Sequence, residues 1–351
     1  MRALAALLLL LATSGCELLL TPREELVGSR DGGTDVVVGD GSTDGGACDA
    51  DLTKDEQNCG ACGHDCCEGK CVDGKCTPVQ LGSGGEPRAI TLDDTAMYWF
   101  DRSDGTIRGR PKSQIGQENV LWTGTPGEDL GQIAVDGAFV YFTTPTAVMR
   151  APTTKGTAST VLGGLSGARS AATSSGYVYY ATPSGVRRVR FDGTGDEPIA
   201  TLANAGPVMV VAPPSLYLTP KMVRVPLLGG AAQGPSFDTE AVAVASNDVF
   251  ALEFQPNTRI GLVRMDTATL TPVTLTDFAG AGGVTTDGVH VWIGDFGTGA
   301  SDGAIVRYDR DGKNRTVVAG AQKRPTGLVS DAKCIYWTNP FNDGRVLKVA
   351  K

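Results

Sequence analysis

The sequence predicts an all-β chain, a seven-bladed β-propeller made of repeated four-stranded units, and three observations carry that prediction. An aromatic preceded by an apolar residue recurs at Tyr98, Tyr141, Tyr179, Tyr217, Phe250, Trp292 and Tyr336, with a mean spacing of about 40 residues. That is the length of one propeller blade. Glycine (47) and proline (19) are plentiful, aromatics make up only 6%, and no long amphipathic helical pattern occurs, as suits short strands joined by tight turns. Finally, the last unit stops one strand short at Lys351, while Thr77-Pro78-Val79-Gln80-Leu81 precedes the first unit without a partner of its own. A ring in which that N-terminal strand completes the last blade leaves no exposed edge at its seam.

Each unit has the same order of parts. A first strand such as Arg88–Leu92 or Gly131–Val135 ends at an Asp turn, Asp93-Asp94 or Asp136-Gly137. The aromatic strand follows, then a loop, then a third strand such as Gly185–Val189 or Ala304–Tyr308. Alternation is expected to be clearest in the third strands, as half-buried strands require. Asp192-Gly193 or Asp311-Gly312 then reverses the chain into a fourth strand such as Thr160–Leu162 or Thr316–Ala319.

The cleanest unit, Ile335-Tyr336-Trp337-Thr338-Asn339 with Asp343-Gly344-Arg345-Val346, resembles the YWTD-type and NHL-like propellers. The resemblance spans residues 77–351 and is clear in units one, six and seven. In units four and five, Ser215–Thr219 and Asp248–Leu252 keep only the pattern. YWTD propellers usually have six blades, so six is the alternative to the seven units counted.

Ahead of the repeats, residues 1–15 carry Arg2, an apolar run from Ala3 to Ala12, and Thr13-Ser14-Gly15 before Cys16. That is the layout of a secretory signal. The small residues before Cys16 resemble the bacterial lipobox, although Thr13 stands where leucine is usual. The resemblance implies lipidation of Cys16 and, with Glu17 next, placement at the outer membrane or cell surface; an ordinary secretory signal is the alternative. Several acyl chains would anchor the protein stably. Residues 16–47 are rich in Gly, Asp, Ser and Thr and are expected to form a disordered acidic linker. The Asp40–Gly45 stretch lacks the closing Glu of a calcium-binding loop.

Residues 48–76 hold Cys48, Cys59, Cys62, Cys66, Cys67, Cys71 and Cys76. Cys59/Cys62 beside His64 has zinc-ligand spacing, but in an exported chain a short cysteine-dense segment is a disulfide framework. Its few apolar residues leave stability to the bridges. Seven is odd, and Cys334 supplies the eighth, so one bridge to the last repeat is expected; the alternative is a buried free thiol. Asn58–Cys66 resembles short cysteine motifs that precede repeat domains in exported myxobacterial proteins. Because Cys66-Cys67 doubles a position those motifs fill once, the resemblance makes Cys67 the candidate partner of Cys334.

Residues 17–76 carry fourteen Asp/Glu against five Lys/Arg, whereas residues 77–351 carry twenty-five of each. No basic stripe exists for a nucleic-acid partner. Only His64 and His290 could serve as imidazole bases, and His290 lies on an expected strand, where packing is its plainer role. A lactonase- or lyase-like propeller with a channel metal, acting on a sugar or lactone, is the alternative function. It would draw on Asp101, Asp295 and Asn339, which recur after the aromatic strand; ordinary turn chemistry explains the same residues. The favoured function is a binding or scaffold module without catalysis, cofactor or metal, facing an envelope or extracellular protein or glycan. Its expected face comprises Phe100, Phe142, Phe254, Phe296 and Phe341 on loops, with Asp101, Asp295 and Asn339. Arg88, Arg169 and Arg324 near the starts of first strands complete it and suit a carboxylate-bearing partner.

Overall fold

In the computed structural model, residues 48–112, 117–299, 301–341 and 344–351 are described. The expected signal segment, Cys16, the linker and Asp343 lie outside them.

The described chain folds into seven antiparallel meanders. The first four consist of Pro87–Leu92, Ala96–Asp101, Thr106–Pro111 and Asn119–Thr123; of Ala134–Asp136, Phe139–Thr144, Ala147–Pro152 and Ser159–Gly163; of Arg169–Ser174, Tyr177–Thr182, Gly185–Arg190 and Glu197–Thr201; and of Met209–Ala212, Ser215–Leu218 and Val223–Pro226. The fifth takes Thr239–Ala245, Asp248–Phe254, Ile260–Asp266 and Val273–Phe278, and the sixth Ala281–Thr286, His290–Asp295, Gly303–Asp309 and Thr316–Gln322. The seventh joins Thr326–Ser330, Cys334–Asn339 and Arg345–Ala350 to Val79–Gly82, the strand from the other end of the ring. Val346 pairs with Gly82, Leu347 with Gln80 and Lys348 with Val79. The ring therefore closes as its sequence predicts, with seven blades.

Blade four departs from the repeat. Its fourth strand is reduced to two isolated bridges, Arg224 with Gln233 and Lys221 with Asp238. Between them Gly229, Gly230 and Gly234 take positive φ of 92°, 148° and 150°, and Pro235 lacks an N–H, so a regular ladder cannot propagate.

Burial explains why the aromatic strand sets the period. In a strand, successive side chains point to opposite faces, and here each face meets a neighbouring blade. Tyr98 and Phe100 pack with Val140 and Phe142 between blades one and two, whereas Trp99 turns the other way, to Tyr336, Val346 and Leu81 at the seam between blades seven and one. Tyr141 and Tyr180 meet between blades two and three, and Trp292 and Trp337 between six and seven. Each such side chain contributes roughly 1.5–3 kcal/mol of burial. The phenols are also pinned to the Asp turns: Tyr98 Oη donates to Asp93 Oδ2 at 2.6 Å and Tyr336 Oη to Asp331 Oδ2 at 3.0 Å.

The register defines two faces. Pro87 lies opposite Asp101, and Asp101 opposite Thr106, at one end of blade one; Leu92 and Met97 pair at the other. The first face carries the starts of the innermost strands, and the second carries the Asp turns.

The cysteine-rich segment is closed by Cys48–Cys62, Cys59–Cys71 and Cys66–Cys76, and Cys67–Cys334 bonds it to the propeller. Cys334 opens the second strand of blade seven, so the segment docks at the second-face end of the seam. Around that bridge Lys348 Nζ reaches Glu68 Oε2 at 2.7 Å and the Lys112 carbonyl at 2.8 Å. His64 sets Nδ1 2.5 Å from the Cys59 carbonyl and Nε2 3.1 Å from Lys351 O. It is a structural link between segment and propeller.

Candidate binding site

The site grows from an irregularity shared by the innermost strands. The pairing register shifts between Pro87 and Ile90, Arg169 and Ala171, Thr239 and Val242, Ala281 and Val284, and Thr326 and Val329. A bulge leaves its extra residue unpaired and re-aims its side chain. Five blades thus break their ladder at one level, near the first-face mouth of the central channel. Arg88 and Glu240 occupy the break in blades one and five. Glu240 keeps solvent contact, yet burial among the channel walls raises its carboxyl above the usual range, opposed by Arg88.

Above blades six, seven and one, two arginines and two phenylalanines alternate. The Arg324 guanidinium carbon sits 4.8 Å from the Phe296 ring centre and 4.9 Å from that of Phe341, and Arg88 lies 4.7 Å from Phe341. Each contact contributes about 0.5–1 kcal/mol when exposed and more when water is excluded. Glu86 bonds both Arg88 and, at 3.1 Å, Arg102. Burial pushes the Glu86 carboxyl up, but the two arginines outweigh it and hold the group below its ordinary value. Arg315 pairs with Asp295 at 3.3 Å. Arg324 differs: it is exposed, its partners are the two rings, and among the described residues no carboxylate forms an ion pair with it.

Two backbone features hold the array in place. Arg324 adopts φ of +54°, an uncommon conformation for a non-glycine residue. Phe296 lies over Gly280 and Gly282, where an added Cβ would stand 2.9 and 2.5 Å from its ring. A side chain at either position would displace the ring.

The structure corrects part of the expected face. Phe100 and Phe142 are fully buried between blades one and two, because they lie inside the aromatic strand and not on the loop after it. Asp101 is buried as well, accepting from Glu86 N at 2.8 Å and from Ser103 N and Oγ at 3.0 and 2.7 Å. Asn339 is buried and donates to Gln322 Oε1 at 3.1 Å, an oxygen that also receives Trp337 Nε1. Asp295 caps its own loop through Gly297 N at 2.9 Å. Asp101, Asp295 and Asn339 each end the second strand of a blade, and their hydrogen bonds are spent on local loops or, for Asn339, on Gln322. Phe254 is exposed at the end of blade five's second strand, and exposed Arg169 opens blade three; neither joins the array.

Sequence reasoning missed Glu86, Arg102 and Glu240. Glu240 stands second in its innermost strand, as Arg88 does, and that alignment was the available signal. It also missed Asp248, 2% exposed, which Arg264 and Arg310 grip from blades five and six. Beside this fork, on the second face, Arg264, His290, Asp309, Arg310 and Asp311 line a cavity of about 640 Å³. His290 stands 4.0 Å from both Asp287 and Asp309 and edge-on to Trp292. Among the described residues, the side chains close enough to share a metal ion are Cys59, Cys66 and Cys71, and all three are spent in disulfides.

Solved structures resemble this architecture. The WD40 β-propeller domain of Doa1 is 14% identical over 76% of this chain and 94% of that one, with a TM-score of 0.55. YCF48, solved with a D1 peptide bound, is 10% identical over 78% and 95%, with a TM-score of 0.56. The chain is a β-propeller. No protein-family profile and no curated protein matches its sequence, so the likeness is one of fold, and the function has to be argued from the array.

Proposed function

We propose that the chain is a lipid-anchored protein of the cell envelope, at the outer membrane or cell surface, whose propeller binds a protein or glycan partner outside the cytoplasm. Lipidated Cys16 supplies the anchor, the acidic linker the reach and the disulfide-rich segment the joint to the propeller. The array of Phe296, Arg324, Phe341 and Arg88 carries the reading. Large aromatics and arginines dominate the energetics of interfaces, and here they gather on one face of a rigid ring while the joint occupies the other. YCF48 offers a precedent for a peptide held by this fold. No step of catalysis is assigned.

Capture from envelope extract with the intact protein and with a Phe296→Ala/Phe341→Ala variant tests the face. We expect at least one partner to be lost with the variant, and identical partner lists would overturn the assignment. Labelling cells with an alkyne fatty acid tests the anchor: the label should enter the wild type and not Cys16→Ala.

A further inference from the structure

We propose that the array is a receptor for a carboxylate of an acidic peptide, with Arg324 as the group that binds it. The inference rests on the reading that this face engages a protein, and adds the chemistry of recognition.

An arginine whose contacts are aromatic rings keeps its N–H donors for a ligand. Arg324 lies 4.8 and 4.9 Å from two ring centres and has no carboxylate partner among the described residues. The neighbouring cations differ, since Glu86 serves Arg88 and Arg102 and Asp295 serves Arg315. Because the rings fix the guanidinium before a ligand arrives, little side-chain freedom is left to lose on binding. Its fork matches the two oxygens of a carboxylate.

The surroundings select among anions. Two arginines share the single Glu86 carboxylate, and Arg324 has no ion pair to give up before it takes a monoanion. Glu86, Asp295 and Glu240 would stand against a polyanion such as a phosphorylated glycan or nucleic acid. The partly exposed Phe296 and Phe341 rings favour a peptide over a small acid, because they offer apolar surface beside the guanidinium that an acetate-sized ligand leaves uncovered. Two local features accompany the cluster: Arg324 holds φ of +54°, and Gly280 and Gly282 leave the room that the Phe296 ring occupies.

The test probes the full chain in detergent with an array of peptide pairs, Glu against Gln and Asp against Asn in otherwise identical sequences. The proteins are wild type, Arg324→Ala, Arg324→Lys and Arg169→Ala, each checked by its melting curve. We expect wild type and Arg169→Ala to prefer acidic members. Arg324→Ala should weaken acidic binding about 10- to 150-fold, the range for a lost charged hydrogen bond, and Arg324→Lys should fall between, since it keeps the charge without the fork. Equal binding of acidic and neutral members, or undiminished acidic binding by Arg324→Ala, overturns the proposal. Displacement by acetate as readily as by the peptide itself overturns the peptide assignment. Should no peptide bind while envelope capture still depends on Phe296 and Phe341, the carboxylate receptor fails and the binding face survives; loss of both dependences removes the face as well.

Discussion

Removing the Cys67–Cys334 bridge should cost about twice as much stability as removing Cys66–Cys76, although the two begin at adjacent residues. The comparison follows from the loops they close, 267 residues against 10. Chain entropy assigns about 5.6 kcal/mol to the first loop and about 2.7 kcal/mol to the second at 25 °C. Packing adds to the contrast: Cys67 and Cys334 lie in the apolar cluster of the seam with Trp99, Tyr336 and Leu81. The variants are Cys67→Ala/Cys334→Ala and Cys66→Ala/Cys76→Ala, each taking both sulfurs so that no thiol remains to exchange. Guanidinium unfolding followed by tryptophan fluorescence is the assay, since buried Trp99 and Trp337 flank blade seven. A long-bridge variant that is no less stable than the short-bridge variant would refute the reasoning, and would mean that the seam is held by its strand ladder alone.

Other outcomes follow from single side chains. Asp248→Asn removes the charge that Arg264 and Arg310 share between blades five and six; both arginines are partly solvated, so a loss of about 1–3 kcal/mol is expected by denaturant titration. Tyr336→Phe deletes one donor to Asp331, whose other partners are Cys334 N at 2.9 Å, Lys333 N at 3.0 Å and Lys112 at 3.1 Å, and should cost about 1 kcal/mol. Acid should weaken the ring. Burial pushes Asp331 and Asp93 up, but backbone N–H donors, the Tyr336 and Tyr98 phenols and, for Asp331, Lys112 hold both below the ordinary carboxylate range. Their contribution is therefore complete above the unfolded value of about 3.9 and is lost as pH falls through the lower folded values. The melting temperature should stay level from pH 7 to 5 and drop below about pH 4, less steeply in Asp331→Asn.

The period was legible because it has one cause. Every second strand is squeezed between two blades, so an aromatic pair such as Tyr98-Trp99 or Tyr336-Trp337 serves two interfaces at once. The same cause hid part of the site. Phe100 and Phe142 stand two and one residues past the marker aromatic, still inside the strand, whereas Phe254, Phe296 and Phe341 stand four or five past it and clear the interface. Distance from the marker decides exposure, and the residue type does not. Blade four was illegible for another reason: glycines and prolines in the outer segment suit a turn and an irregular edge equally. The alternation of Arg88 with Phe341 and of Arg324 with Phe296 joins residues from three blades, a neighbourhood that no local pattern encodes.

The long disulfide also sets the route that tension takes through the molecule. A pull applied ahead of Cys48 passes along the cross-linked segment to Cys67 and crosses by covalent bond to Cys334, in the second strand of blade seven. The strand Val79–Gly82, held by a short ladder to Val346–Lys348 and entered from Cys76, shares the load with that covalent crossing and does not carry it alone. A load that would otherwise peel the ring open from its first strand is delivered in part to a strand paired on both sides. With the bridge intact, mechanical rupture has to strain both strands of blade seven; with it reduced, the same load unzips the seam.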